Sequence, residues 1–197
     1  MYKDSFFKKY LESFSYAIEE IHYEKINSLI EILIQIKRKK SRVFILGLGG
    51  SAGNASHAVN DLRKLCDIQA MTPVDNVSEI TATANDDGFN QIFVNYLKTS
   101  KIGNRDLILI FSVGGGSFER KSSLPIIEAI KFAKKKRCKI VSITGKNNGY
   151  ASKNSNININ FNINNKLFLT PISETLQSLI WHYLVSDPRL QVRKTFW

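Results

Sequence analysis

The stretch Val43-Phe44-Ile45-Leu46-Gly47-Leu48-Gly49-Gly50-Ser51 decides the fold. Its four consecutive apolar residues suit a strand buried on both faces, and the glycines straight after them make a tight turn. Residues 52–66 read as the helix that follows. The same order returns at residues 107–111, the strongest strand in the chain, which runs into Gly114-Gly115-Gly116-Ser117. A helix over 126–136 and a strand over 139–143 come next. Residues 70–74 make a weaker strand, because Pro73 belongs at a strand end or sheet edge. Residues 157–163 alternate strictly and predict a strand with one polar face, and 172–186 a final helix. Continuous apolar strands alternating with helices predict a doubly wound, mostly parallel five-stranded α/β sheet.

Upstream the pattern is helical. Phe6, Phe7, Tyr10, Phe14, Ile18 and Ile21 recur at helical spacing, Ile26 to Ile36 continue it, and a break falls near His22–Tyr23. The expected organisation is an N-terminal helical arm over 1–40, serving oligomerisation, and one sheet domain over 41–197. Packing of the arm against another subunit and capping of its own core are equal readings at this stage.

The composition narrows the class. A chain of 197 residues with 43% hydrophobic and 23% charged residues buries a core without staples and is neither disordered nor fibrous. Cys66 and Cys138 stand alone in apolar surroundings, which fits a reducing cytoplasm. No run approaches the length of a membrane span, and Met1-Tyr-Lys-Asp-Ser-Phe-Phe is too charged for a signal peptide. With 28 Lys+Arg against 17 Asp+Glu the formal charge is +11. That excess invites a polyanion, yet the runs Lys37–Lys40 and Lys134–Arg137 end helices, where cations suit the helix dipole. A solvated helix end is the preferred account of each, and no nucleic acid or membrane partner is expected.

Ligands of open parallel sheets bind beyond the carboxyl ends of the strands, where both glycine turns fall. The first matches Gly-x-Gly-x-x-Ala, but no suitably placed acidic residue follows: Asp67 lies beyond a helix and Asp75 comes late. No nucleotide cofactor is therefore expected, and without Gly-Lys-Ser/Thr neither turn is a P-loop. Backbone N–H groups with the hydroxyls of Ser51, Ser112 and Ser117 suit a small phosphate monoester, with Gly49, Gly50 and Gly114 shaping the approach. Turns that only reverse the chain are the plainer alternative.

Gly49-Gly50-Ser51 with His57 six residues on, then Asn85-Asp86, Ser112 to Ser117, and Glu174 with His182 occur in one order. That order and spacing resemble the phosphoheptose isomerases of the SIS (sugar isomerase) superfamily, over roughly residues 42–186 and the two-helix arm. The resemblance implies isomerisation of sedoheptulose 7-phosphate to D-glycero-D-manno-heptose 7-phosphate, feeding lipopolysaccharide or capsule precursors. It also implies a homotetramer with active sites at subunit interfaces and a zinc ion on each subunit.

His57 and Asp61 share one helix face at four-residue spacing, as do Glu174 and His182 at eight. By the resemblance these four would hold the zinc, and Asp61 and His182 would be the proton-transfer pair. Asn85, Asp86 and Glu174 would contact the sugar, although Asn85-Asp86 also suits a helix N-cap or turn. Three departures stand out: Asp61 replaces the family's glutamate, Glu174 its glutamine, and Val113 and Gly114 thin the hydroxyls of the phosphate loop. A non-catalytic SIS module, binding a phosphosugar or a protein partner as in regulators or replication-initiator-associating factors, is the alternative. Arg63 and Lys64 are the cations expected nearest the ligand.

Overall fold

A computed structural model describes residues 2–194. The outer limits of the two expected segments, Met1 and Trp197, lie outside the described residues. Five strands, β1 (Arg42–Leu46), β2 (Gln69–Met71), β3 (Leu107–Ser112), β4 (Lys139–Thr144) and β5 (Ile157–Asn160), form one parallel sheet. Their order is β2-β1-β3-β4-β5, with Val43 beside both Ala70 and Leu107, and Leu107 beside Lys139. The order reverses between β1 and β3, which opens a crevice at their carboxyl ends.

Helices cover both faces because the strands are apolar on both. Val43, Ile45, Leu109, Phe111, Val141 and Ile143 face a core shared with α2 (Tyr23–Arg38), α3 (Gly50–Cys66) and α8 (Leu169–Ser186). Phe44, Leu46, Ile108, Ile110 and Ile140 face the other core, under α5 (Ile92–Thr99) and α6 (Leu124–Lys135). The first helix, α1 (Tyr2–Glu19), breaks from α2 at Ile21–His22, and Leu29, Ile30 and Leu33 of α2 lie in the sheet core. Alternate side chains of each strand thus go to opposite cores, as a doubly covered pleat demands.

Three helices were not anticipated. The fourth, α4 (Val77–Asp86), fully buries no side chain and packs on the core only through the partly buried Ile80 and Ala84, a stripe too short to read. Alongside it, α5 is eight residues long, and α7 (Tyr150–Asn154) is five. The last strand is shorter than its alternation suggested: pairing stops at Asn160 opposite Thr144, where β4 itself ends. Its polar face is satisfied, since Ser142 and Thr144 hydroxyls donate to Asn158 Oδ1 at 2.7 and 3.0 Å. Burial pushes both thiols, Cys66 and Cys138, up to about 11, so neither is a ready nucleophile. Among the described residues no helix is long and apolar enough to cross a membrane.

Candidate active site

The β1–α3 turn brings the start of α3 against the start of α8. Gly50 faces the Glu174 carboxylate, which a Cβ at this position would displace. Asn54, one turn on, donates to the Glu174 carbonyl oxygen at 2.9 Å and to Gln177 Oε1 at 3.3 Å. Ser51 is buried beside this contact. The two helices run in the same direction, so residues further along α3 meet residues further along α8.

His57 and His182 meet two turns along. Their ring centroids are 5.5 Å apart, edge to face, and Trp181 stacks on His182 at 3.4 Å. Asp61 Oδ2 lies 3.8 Å from His57 Nε2, and its side chain is only 15% exposed where that of His57 is 57% exposed. His182 Nδ1 is 2.8 Å from the Ser178 carbonyl oxygen. The Ser178 hydroxyl lies 3.2 Å from the same nitrogen, so Ser178 anchors the ring through both of its oxygens. One ligand atom from each of His57, Asp61 and His182 lies within 4.8 Å of the others. Two imidazoles and a carboxylate are a donor set for a divalent metal, although a tetrahedral ion with bonds near 2.05 Å would draw them to about 3.3 Å apart.

Glu174 is not in this group. Eight residues of helix separate it from His182, about 12 Å along the axis, which leaves its carboxylate over Gly50. The shared helix face read from the sequence is real, but the face is longer than one ion can span.

The second turn closes on itself. Gly115 N–H donates to Ser112 Oγ at 3.0 Å, and Ser117 and Ser122 exchange two backbone bonds of 3.0 Å. Ser117 Oγ accepts from Arg120 N–H at 3.2 Å. The N–H groups of Gly114 and Gly116 meet no acceptor among the described residues. Gly116 has φ +86, and a Cβ there would lie 2.8 Å from Ile127 Cγ1, so both backbone and space require glycine. A cleft of about 470 Å³ opens beside this turn, lined among others by Gly114, Ser117, Arg120, Lys146 and Lys153.

Those three cations were missed from the sequence, where Arg63 and Lys64 were expected nearest the ligand. Arg63 and Lys64 instead fall in the last turn of α3. Lys146 could have been found, because it follows the end of β4 at the binding edge of the sheet. Asn85 and Asp86 end α4, exposed, with Asn85 Nδ2 donating to Asp86 Oδ1 at 2.8 Å. The N-cap of that helix is Asn76, which accepts from Glu79 N–H at 3.2 Å. The structure therefore brings together His57, Asp61 and His182, and separately Gly50 and Glu174, but gives Asn85 and Asp86 no bond to either group among the described residues.

A profile of the SIS domain matches residues 5–145. The chain belongs to the SIS domain family. A phosphoheptose isomerase of Buchnera aphidicola subsp. Schizaphis graminum is 30% identical over 155 residues, 77% of this chain and 75% of the relative. Among solved SIS structures, a phosphoheptose isomerase from Neisseria gonorrhoeae superposes with a TM-score of 0.78 at 20% identity, covering 92% of this chain and 94% of that one. Another from Francisella tularensis gives 0.78 at 22% identity over 92% and 93%. At these identities the two structures bear on the fold. The SIS match includes both N-terminal helices, in keeping with the place of α2 in the core.

Proposed function

We propose that this SIS protein is a phosphosugar aldose–ketose isomerase that interconverts sedoheptulose 7-phosphate and D-glycero-D-manno-heptose 7-phosphate. The observation that carries the proposal is the convergence of His57, Asp61 and His182 within 4.8 Å in a chain 30% identical to a phosphoheptose isomerase. In this reading a base removes a proton from C1 of the ketose and an enediol forms. A proton returns to C2 while the hydroxyl proton passes from O1 to O2, so no oxidant is needed. Asp61 and His182 are the proton-transfer pair, with the His182 ring anchored by Ser178.

The phosphate lies between Ser51 and the Ser112–Ser117 turn, where the N–H groups of Gly114 and Gly116 are open. Gly49 and Gly50 shape the approach, and Asn85, Asp86 and Glu174 take sugar hydroxyls. His57, Asp61 and His182 are the residues that would hold zinc, with Glu174 outside the set. When bound, zinc supplies Lewis-acid polarisation of the carbonyl. The exposure of His57 and His182 on the outer side of α3 and α8 supports a site completed by another subunit of a homotetramer. The product suits cytoplasmic synthesis of lipopolysaccharide or capsule precursors, and residues 1–40 serve the assembly.

Incubation with C5 to C7 ketose phosphates in deuterated water, followed by NMR, tests the proposal. Turnover is expected with the heptulose 7-phosphate, with deuterium entering at the carbon beside the carbonyl. Binding without turnover or exchange on any of them would instead establish a non-catalytic phosphosugar module.

A further inference from the structure

The +11 charge is not scattered evenly. At the amino-end edge of the sheet, opposite the glycine turns, a cleft of about 380 Å³ is lined by Lys39, Lys40, Arg42, Lys101 and Arg105. A second of about 380 Å³ is lined by Lys134, Arg137 and Lys153. The two adjoin: Gly103 of the first accepts from the Cys138 thiol of the second at 3.0 Å. One carboxylate, Asp106, lines them, and Arg42 already holds it at 2.7 Å. The other seven cations form no ion pair among the described residues.

The backbone at this edge repeats. Helices α2, α5 and α6 each deliver the chain to a neighbouring strand, β1, β3 or β4, through the same terminus. Ser41, Ile102 and Cys138 N–H groups bond back to Ile36, Leu97 and Ala133 oxygens at 3.0, 3.2 and 3.0 Å. The residue before each takes the left-handed conformation, where glycine is usual: Lys40 at φ 51, Lys101 at φ 50 and Arg137 at φ 55. Each therefore accepts a backbone cost that glycine would avoid, and each is an exposed cation. The helix dipole favours a cation nearby but does not require it at the left-handed position itself. Asp67, at φ 54, occupies the left-handed end of α3 beside edge strand β2 and bounds the cationic row on that side.

The geometry points to this trough as a binding surface for the sugar–phosphate backbone of a nucleic acid. Five strands about 4.8 Å apart make an edge of about 19 Å, long enough for several phosphates. Apart from Gly103 and the paired Asp106, the lining is lysine, arginine, serine, glutamine and asparagine, while its apolar members Cys138 and Ile140 are buried. Protein interfaces centre on apolar and aromatic side chains, whereas phosphate recognition needs only cations and polar donors. With no aromatic ring lining either cleft among the described residues, binding is independent of sequence. The Lys40 and Lys101 end of the trough lies about 20 Å from the glycine turns, the length of β3, while Lys153 at the other end also lines the cleft beside Gly114. Lys40, Lys101 and Arg137 do not line that cleft, so binding along them does not depend on the isomerase proposal.

Substitution of Lys40, Lys101 and Arg137 by glycine removes three charges while supplying the residue those backbone positions favour, so the variant keeps the fold. Exchanging Lys8, Lys9 and Lys166 for glutamine removes three exposed charges elsewhere. Fluorescence anisotropy with labelled 20-base-pair duplex DNA and duplex RNA across a salt series should show a steep salt dependence for the native chain. The glycine variant is expected to bind at least about 10-fold more weakly, with a salt slope lower by about 2–3. The glutamine variant should stay within about 3-fold of the native chain, and the ratio of the DNA and RNA constants identifies the preferred duplex. Equal weakening by both variants, or no binding near 50 mM salt, would overturn the proposal. Binding of polyglutamate as tight as either duplex would also overturn it, in favour of an acidic protein.

Discussion

The Nδ1 of His182 and the carbonyl oxygen of Ser178 lie 2.8 Å apart, one helical turn from each other on α8. The Ser178 hydroxyl lies 3.2 Å from the same nitrogen, so both Ser178 oxygens anchor the ring in the cluster with His57 and Asp61. In the proposed isomerisation a ring so held is a proton carrier, and its removal should cost rate more than affinity. His182→Ala is expected to lower kcat by about 100-fold or more and to leave phosphosugar affinity within about 3-fold. Kinetics paired with calorimetric titration separate the two, and an equal loss of affinity would make His182 a binding residue first.

Asp61 tests the second proton-transfer group. Its carboxylate is largely covered, and its chain is one methylene shorter than the glutamate that the family resemblance implies at this position. Asp61→Asn keeps shape but removes the base, so kcat should fall by about 100-fold or more. Asp61→Glu adds about 1.5 Å of reach and should retain turnover, a contrast that a purely steric role would not produce. Both variants should melt within a few degrees of the parent, measured by circular dichroism.

Position 116 is where the phosphate turn is least tolerant. A methyl group there must be accommodated at φ +86 and displace Ile127, whose Cγ1 would be 2.8 Å away. Gly116→Ala should cost about 1–3 kcal/mol in urea unfolding through strain and overpacking. It should also raise KM for the phosphosugar, because the Gly116 N–H moves with the turn. A variant of undiminished stability and unchanged KM would mean that neither the turn nor its N–H matters as described.

The sequence revealed those elements whose burial leaves a periodic mark. Leu107 to Phe111 and Val43 to Leu46 could hardly be anything but central strands, and Gly47 to Ser51 could hardly be anything but the turn after one. Helix α4 escaped because only Ile80 and Ala84 of its ten residues pack on the core, and both are only partly buried, which leaves too short a period to set it apart from a loop. The grouping of His57 with His182 followed from the family resemblance, and the shared direction of α3 and α8 brings the two rings within 5.5 Å. The resemblance also grouped Glu174 with them; a rise of about 12 Å along α8 places it over Gly50 instead. The cations Arg120, Lys146 and Lys153 escaped because three separate segments bring them to one cleft.

The carboxyl-terminal clamp gives a pH-dependent prediction. Asp187 takes a forked pair of bonds from Arg189 at 2.9 and 2.8 Å, and a third from the Arg189 N–H at 2.9 Å. Arg189 reaches on to Asn27 and Glu31 of α2 at 2.8 and 3.1 Å, and this arrangement seats the fully buried Leu190. The Arg189 guanidinium holds the Asp187 carboxyl below the usual carboxylate range, against the opposing effect of burial. A carboxyl depressed in the folded state contributes stability that is complete above its unfolded pKa, near 3.9, and fades as pH falls through the folded value. Asp187→Asn should therefore lower the melting temperature by about 2–6 °C at pH 7. Below pH 3 the difference from the parent should shrink, because the parent's own carboxyl is then taking up its proton. Thermal melts of both proteins from pH 7 to pH 2.5 measure this, and a gap that stays constant across the range would show that the clamp stabilises by packing alone.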